Sequence, residues 1–162
     1  AKSWGASRVM VSEPFEFRRD MAKKFGADVI DPSSGEDVGE WVRGLVGEGP
    51  DIIIAAAGVK SVAESAFKAA SLGTRIHLFG GMPSGTTLEV SADQIHYQHV
   101  TVLGTSGFRS VDVQTAGEMI KGHVIDIKPL VTHRFSVDEA QAAFEMAQQP
   151  NALKVMMENT SW

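Results

Sequence analysis

Short apolar strands alternate with amphipathic helices along nearly the whole chain, and few folds accommodate that rhythm. Residues 51–57 (DIIIAAA) are the clearest strand, and their unbroken apolar run predicts burial on both faces, as in a parallel sheet. Further strands are expected at residues 7–12 (SRVMVS), 27–30, 74–79, 100–104, 131–135 and 153–158. Helices are expected at 14–25, 34–46, 59–72, 111–121 and from Ser136 to Ala147, with a short one opening at Ser91. In the first helix Phe17, Met21 and Phe25 recur at i, i+4, i+8, while Arg18, Arg19, Lys23 and Lys24 fall elsewhere on the wheel. Pro14 suits its first turn and Gly26 its C-terminal cap, and Gly73 and Gly122 close two later helices. Ser91-x-x-Gln94 and Ser136-x-x-Glu139 are capping boxes. Strand–helix alternation implies right-handed βαβ units, so the expected class is α/β, a Rossmann-type doubly wound parallel sheet with helices on both faces.

The formal charge of −5 argues against a nucleic-acid partner, since phosphate backbones need a surplus of Lys and Arg. A diphosphate cofactor needs no such surplus. The absence of cysteine excludes a disulfide framework and a Cys-based zinc site within the chain, and it fits a reducing cytoplasm. None of the five histidines stands in an HExxH pattern, and His96 and His99 alone are too few ligands for a metal. No apolar run is long enough to span a membrane, and AKSWGASR has no apolar signal-peptide core.

The candidate chemistry lies at strand ends. Glu13 follows the first expected strand, where an acid can accept hydrogen bonds from the adenosine ribose hydroxyls and repel a ribose 2′-phosphate, favouring NAD over NADP. Taken alone it is equally a carboxylate stabilised by a helix N-terminus. Arg18 could flank that ribose or be a solvated helix cation. Ala56-Ala57-Gly58, Phe79-Gly80-Gly81 and Leu103-Gly104-Thr105-Ser106-Gly107 end three successive strands in small residues. Such lips admit a ligand close to the backbone, or serve tight packing. No GxSxG elbow and no cysteine nucleophile occurs, so a hydrolytic site is hard to build. His77, inside a strand, reads as a packed residue, and Met119, Met156 and Met157 as core. The sequence opens on AKSWGAS, which reads as a helix tail, and GxGxxG occurs nowhere in it. The pair Gly80-Gly81 follows the wrong strand to replace it.

These stretches in order, AKSWGASRVMVSEPFEFRRDMAKKFGADVIDP, DIIIAAAG, GTRIHLFGG, TVLGTSGF and IKPLVTHRFSVDEAQAAFEMA…LKVMM, resemble the second half of the zinc-type medium-chain dehydrogenases. The sorbitol, threonine and sugar-alcohol branch is the nearest. The resemblance covers essentially the whole chain. It implies that Glu13 binds the adenosine ribose diol with Arg18 beside it, and that Ala57 and Gly58 line the adenosine-ribose side of the cleft. Phe79, Gly80, Leu103 and Thr105 would present backbone to the nicotinamide, and Lys154 would lie near the cofactor phosphates. It implies a cytoplasmic homodimer or homotetramer in which zinc lowers the pKa of an alcohol or sugar-alcohol substrate and hydride passes to NAD.

The family's glycine turn and its preceding strand would lie before Ala1, and its zinc ligands earlier still. The sequence is therefore expected to be a piece of a longer chain, with no catalytic residue and no metal ligand of its own. Residues 1–107 would form a partial dinucleotide-binding domain, and 108–162 would pack back on a catalytic domain. In the family's 3-2-1-4-5-6 strand order the first strand is central, so two unpaired strand edges and severely weakened NAD affinity are expected. The competing readings are a zinc-independent quinone or enoyl reductase, a non-catalytic nucleotide-binding fragment, and a methyltransferase. The tail and the HYQHVTVLGTSGF stretch speak against the first, and the lack of acidic and aromatic decoration at later strand ends against the last.

Overall fold

In the computed structural model, which describes residues 1–159, strands and helices alternate as the sequence predicts. They run β1 (Met10–Ser12), α1 (Glu16–Lys24), β2 (Asp28–Ile30), α2 (Val38–Val46), β3 (Ile52–Ala55), α3 (Lys60–Ala69), β4 (Arg75–Leu78) and α4 (Ala92–His96). Then come β5 (Thr101–Gly104), α5 (Ser110–Lys121), β6 (Val131–Ser136), α6 (Ala140–Ala147) and β7 (Lys154–Glu158). Every strand pair is parallel, as the apolar strands and intervening helices require. Among the described residues the strands form three ladders, β1–β2, β3–β4–β5 and β6–β7. Among the described residues only β4 is paired on both sides.

The chain divides into two compact units: residues 32–108, and Ala1–Asp31 together with the chain from Arg109 onward. The first is built on β3–β4–β5. Its core joins Ala55, Ala66, Phe67, Ala70, Ile76 and Val100, with Ile53, Leu78 and Leu88 packed against it. Ile76, on the central strand, is fully buried. The expectation that residues 51–57 are buried on both faces is not met: Ile52 and Ile54 are 53% and 57% exposed. In this unit α3 packs on one face of β3 and β4, and strand alternation turns Ile52 and Ile54 to the other. A run of isoleucine and alanine records apolar character but not which face finds a cover.

Thr74 leads into β4 and is the buried polar side chain of this core. Its hydroxyl accepts the Ser71 N–H at 2.9 Å and donates to the Pro50 carbonyl at 2.7 Å. It thereby ties the end of α3 to the start of β3. An expected helix start moved, and an expected cap did not form. Gly35 sits at φ +89°, outside helical geometry, so α2 begins only at Val38, with Asp37 accepting the Glu40 N–H at 2.9 Å. The box at Ser91 does not close: its hydroxyl makes no cap, and Gln94 instead donates to the Phe67 carbonyl at 2.9 Å.

In the other unit α1 packs on β1 and β2, and α6 on β6 and β7. Ile30, Ala143 and Ala152 are buried. The apolar stripe of α1 is only partly covered, with Phe17 at 41% and Phe25 at 44% exposure, because two three-residue strands offer too little area. Met157, expected in a core, is likewise 45% exposed. The box at Ser136 does form, its N–H meeting the Glu139 carboxylate at 2.9 Å. It opens a short 3-10 turn before α6.

α5 is capped from outside by its own first turn. Asp112 accepts the Arg109 N–H at 2.9 Å and both arms of the Arg109 guanidinium. These bonds, the guanidinium first and the backbone N–H second, lower the Asp112 carboxyl to about 2. A depressed carboxyl contributes stability above its unfolded pKa of about 3.9 and loses it as pH falls toward the folded value. The Asp112 carboxyl carbon is therefore expected to titrate by NMR with a midpoint near 2. The N–H signals of the first turn of α5 should shift in step with it. A midpoint at the unfolded value would show that the cap does not form.

Candidate functional site

The strand-end residues fall into two sets, one on each unit. On the first unit β3 and β4 end side by side, and their loops touch backbone to backbone. A Cβ on Gly58 would lie 2.1 Å from the Gly81 carbonyl oxygen, and one on Gly80 would lie 2.3 Å from the Ala57 carbonyl carbon. Neither glycine has a positive φ, so it is space and not conformation that demands glycine here. The Phe79 and Gly80 N–H groups both bond the Ala55 carbonyl, at 3.1 and 2.9 Å. Ala57-Gly58 and Phe79-Gly80 thus form one double lip, and close packing of the lips accounts for their small residues.

Beside it, across β4 and β5, the His77 ring bonds the Thr105 hydroxyl at 2.9 Å and meets the Phe79 ring edge-on. His77 is half-buried and packed, as expected from its place in a strand. Phe79 and Leu103 are 61% and 50% exposed, so this lip presents an apolar surface beside exposed backbone. Such an edge suits a flat, partly apolar ring with an amide substituent.

On the second unit Glu13 stands immediately past β1. Its N–H continues the ladder to the Ile30 carbonyl at 3.2 Å. Its carboxylate accepts the Phe15 N–H at 3.0 Å, at the N-cap of α1. An ionised carboxylate has about four acceptor positions, so one amide leaves room for both hydroxyls of a diol. The Arg18 guanidinium lies 5.1 Å over the Phe15 ring, and its Nε donates to the Pro150 carbonyl at 3.2 Å. Lys154 is exposed at the start of β7. Arg19, which the helical wheel did not single out, bonds the Glu13 and Pro14 carbonyls and the Asp31 carboxylate. Its only sequence signal is an acid, Asp31, at the end of the next strand. Among the described residues no group of three His, Asp or Glu side chains could hold a metal ion.

Parallel ladders with helices between successive strands define an α/β protein of the Rossmann type. The sequence pattern of the zinc-binding dehydrogenases matches residues 1–122, and the chain belongs to that family. It is 31% identical over 159 residues to an L-threonine 3-dehydrogenase of Pyrococcus furiosus, covering 96% of this chain and 45% of that one. It is also 31% identical to the sorbitol dehydrogenase of Ovis aries, covering 97% and 44%. A zinc-binding dehydrogenase from Sinorhizobium meliloti 1021, solved bound to NADP, superposes with a TM-score of 0.87 at 28% identity, over 95% of this chain and 46% of that one. The chain therefore spans slightly under half the length of these relatives.

Proposed function

We propose that this chain is the nicotinamide-dinucleotide seat of an NAD-dependent alcohol or polyol dehydrogenase. The observation that carries the reading is Glu13, an acid held at the carboxyl end of a parallel strand with acceptor capacity to spare. In this reading Glu13 takes the adenosine ribose diol. Arg18, fixed on Phe15, forms the neighbouring wall, and Lys154 adds positive charge for the phosphates. Ala57 and Gly58 line the ribose side, and Phe79, Gly80, Leu103 and Thr105 line the nicotinamide end. Residues 1–107 serve the cofactor, and 108–162 serve a catalytic domain. The whole enzyme would move hydride between a secondary alcohol or sugar alcohol and NAD. Zinc would be held by residues outside this chain, since no ligand set lies among the described residues. A cytoplasmic homo-oligomer is the proposed setting. The cysteine-free sequence and the exposed edge strand β5, with Val102 and Leu103 on it, support that.

The Sinorhizobium relative was solved with NADP, so the cofactor preference has to be measured. Calorimetric titration of the folded chain with NAD and NADP is expected to show weak binding with NAD preferred. Glu13→Gln should weaken NAD at least tenfold, the scale of a lost charge-assisted hydrogen bond of about 1.5 kcal/mol, and narrow the gap to NADP. Tighter binding of NADP by the unaltered chain would overturn the role given to Glu13.

A further inference from the structure

Glu13 and Pro14 link β1 to α1, and their carbonyls lie ahead of the first helical residue, Glu16. The helix therefore begins without using either of them, since its own ladder starts at the Phe15 carbonyl, which accepts the Arg18 and Arg19 N–H groups. Arg19, one turn into α1, folds back over this link. Its Nη1 donates to the Glu13 carbonyl at 2.8 Å and to the Pro14 carbonyl at 2.6 Å. Its Nη2 meets the Asp31 carboxylate, just past β2, at 3.0 Å. The side chain is only 15% exposed.

One planar guanidinium thus joins the ends of β1 and β2 and the entry to α1. We propose that Arg19 is a positioning residue for Glu13: it holds residues 13–15 so that the Glu13 carboxylate stays at the lip of the β1–β2 ladder. The inference rests on the reading of Glu13 as the ribose acceptor. Its physical basis is the fork geometry of arginine, whose fixed donors serve several acceptors at once. A lysine ammonium is a point charge that cannot hold the same arrangement. The two adjacent arginines therefore divide the work. Arg18 packs on Phe15 and Pro150, whereas Arg19 is consumed by backbone and Asp31 and is not available to a cofactor phosphate.

The test is amide hydrogen exchange by NMR on the full 162-residue chain, with Arg19→Met and Arg19→Lys, alongside NAD titration. Arg19→Met is expected to speed exchange at the Glu13 and Phe15 amides at least tenfold and to weaken NAD at least tenfold. The β6–β7 amides should be unchanged. Arg19→Lys, which keeps the charge facing Asp31 and so keeps the unit folded, should restore only part of both effects. Unaltered protection at Glu13 and Phe15 in both variants would overturn the proposal. Loosened amides together with NAD binding that ignores Glu13→Gln would support Arg19 as the clamp and sink the ribose reading instead.

Discussion

Replacing Gly58 with alanine is expected to lower the unfolding free energy of the residue 32–108 unit by about 3 kcal/mol, the scale of overpacking against rigid neighbours. The new Cβ would sit 2.1 Å from the Gly81 carbonyl oxygen, a distance no carbon tolerates. The obstacle is backbone on an adjoining strand end and not a side chain that could swing away, so β3 and β4 must part. Gly80→Ala should cost a similar amount, because its Cβ would meet the Ala57 carbonyl carbon and the Gly58 nitrogen at 2.3 and 2.6 Å. Gly81→Ala is the control: no atom lies within 4 Å of the added carbon, and its φ is not left-handed, so a change within about 0.5 kcal/mol is expected. Urea unfolding followed by circular dichroism would read all three. If Gly58→Ala proves as mild as Gly81→Ala, the double lip is looser than the structure shows.

Thr74→Val should be comparably severe, at about 3 kcal/mol, although it changes neither shape nor volume appreciably. It removes the hydroxyl that serves the Ser71 N–H and the Pro50 carbonyl. Both groups would then lose that partner beside a fully buried side chain. Thr74→Ser keeps the hydroxyl and deletes one methyl, so a loss of about 1 kcal/mol is expected. The order valine worse than serine, measured by the same unfolding experiment, separates the hydrogen bonds from the packing. The reverse order would show that the methyl, not the hydroxyl, secures this corner.

The strand-end placement of the candidate residues was legible because turn chemistry is written locally. Glu13-Pro14 after an apolar run places an acid at a strand's carboxyl end, and Gly58 after β3 and Gly80-Gly81 after β4 mark their lips. What those glycines do was not legible. Small residues fit a ligand or a neighbouring loop equally well, and only the approach of Gly58 to Gly81 shows a neighbouring loop packed there. Arg19 was missed for a related reason. On a helical wheel it is one more surface cation, and its acceptors come from the two residues at the turn and from Asp31, twelve positions on.

The alternation of strands and helices, their parallel pairing and the acid past β1 are properties of the sequence itself, because periodicity and turn residues act within a few positions. Burial is different in kind. The isoleucines of β3 were expected to be covered on both faces, yet Ile52 and Ile54 are exposed while Ile53 packs toward the core. Ser91 and Gln94 had the spacing of a capping box, yet Gln94 found the Phe67 carbonyl, a partner 27 residues away. In each case the side chain had more than one acceptable environment at similar local cost. The choice fell to whichever distant segment the fold brought within reach.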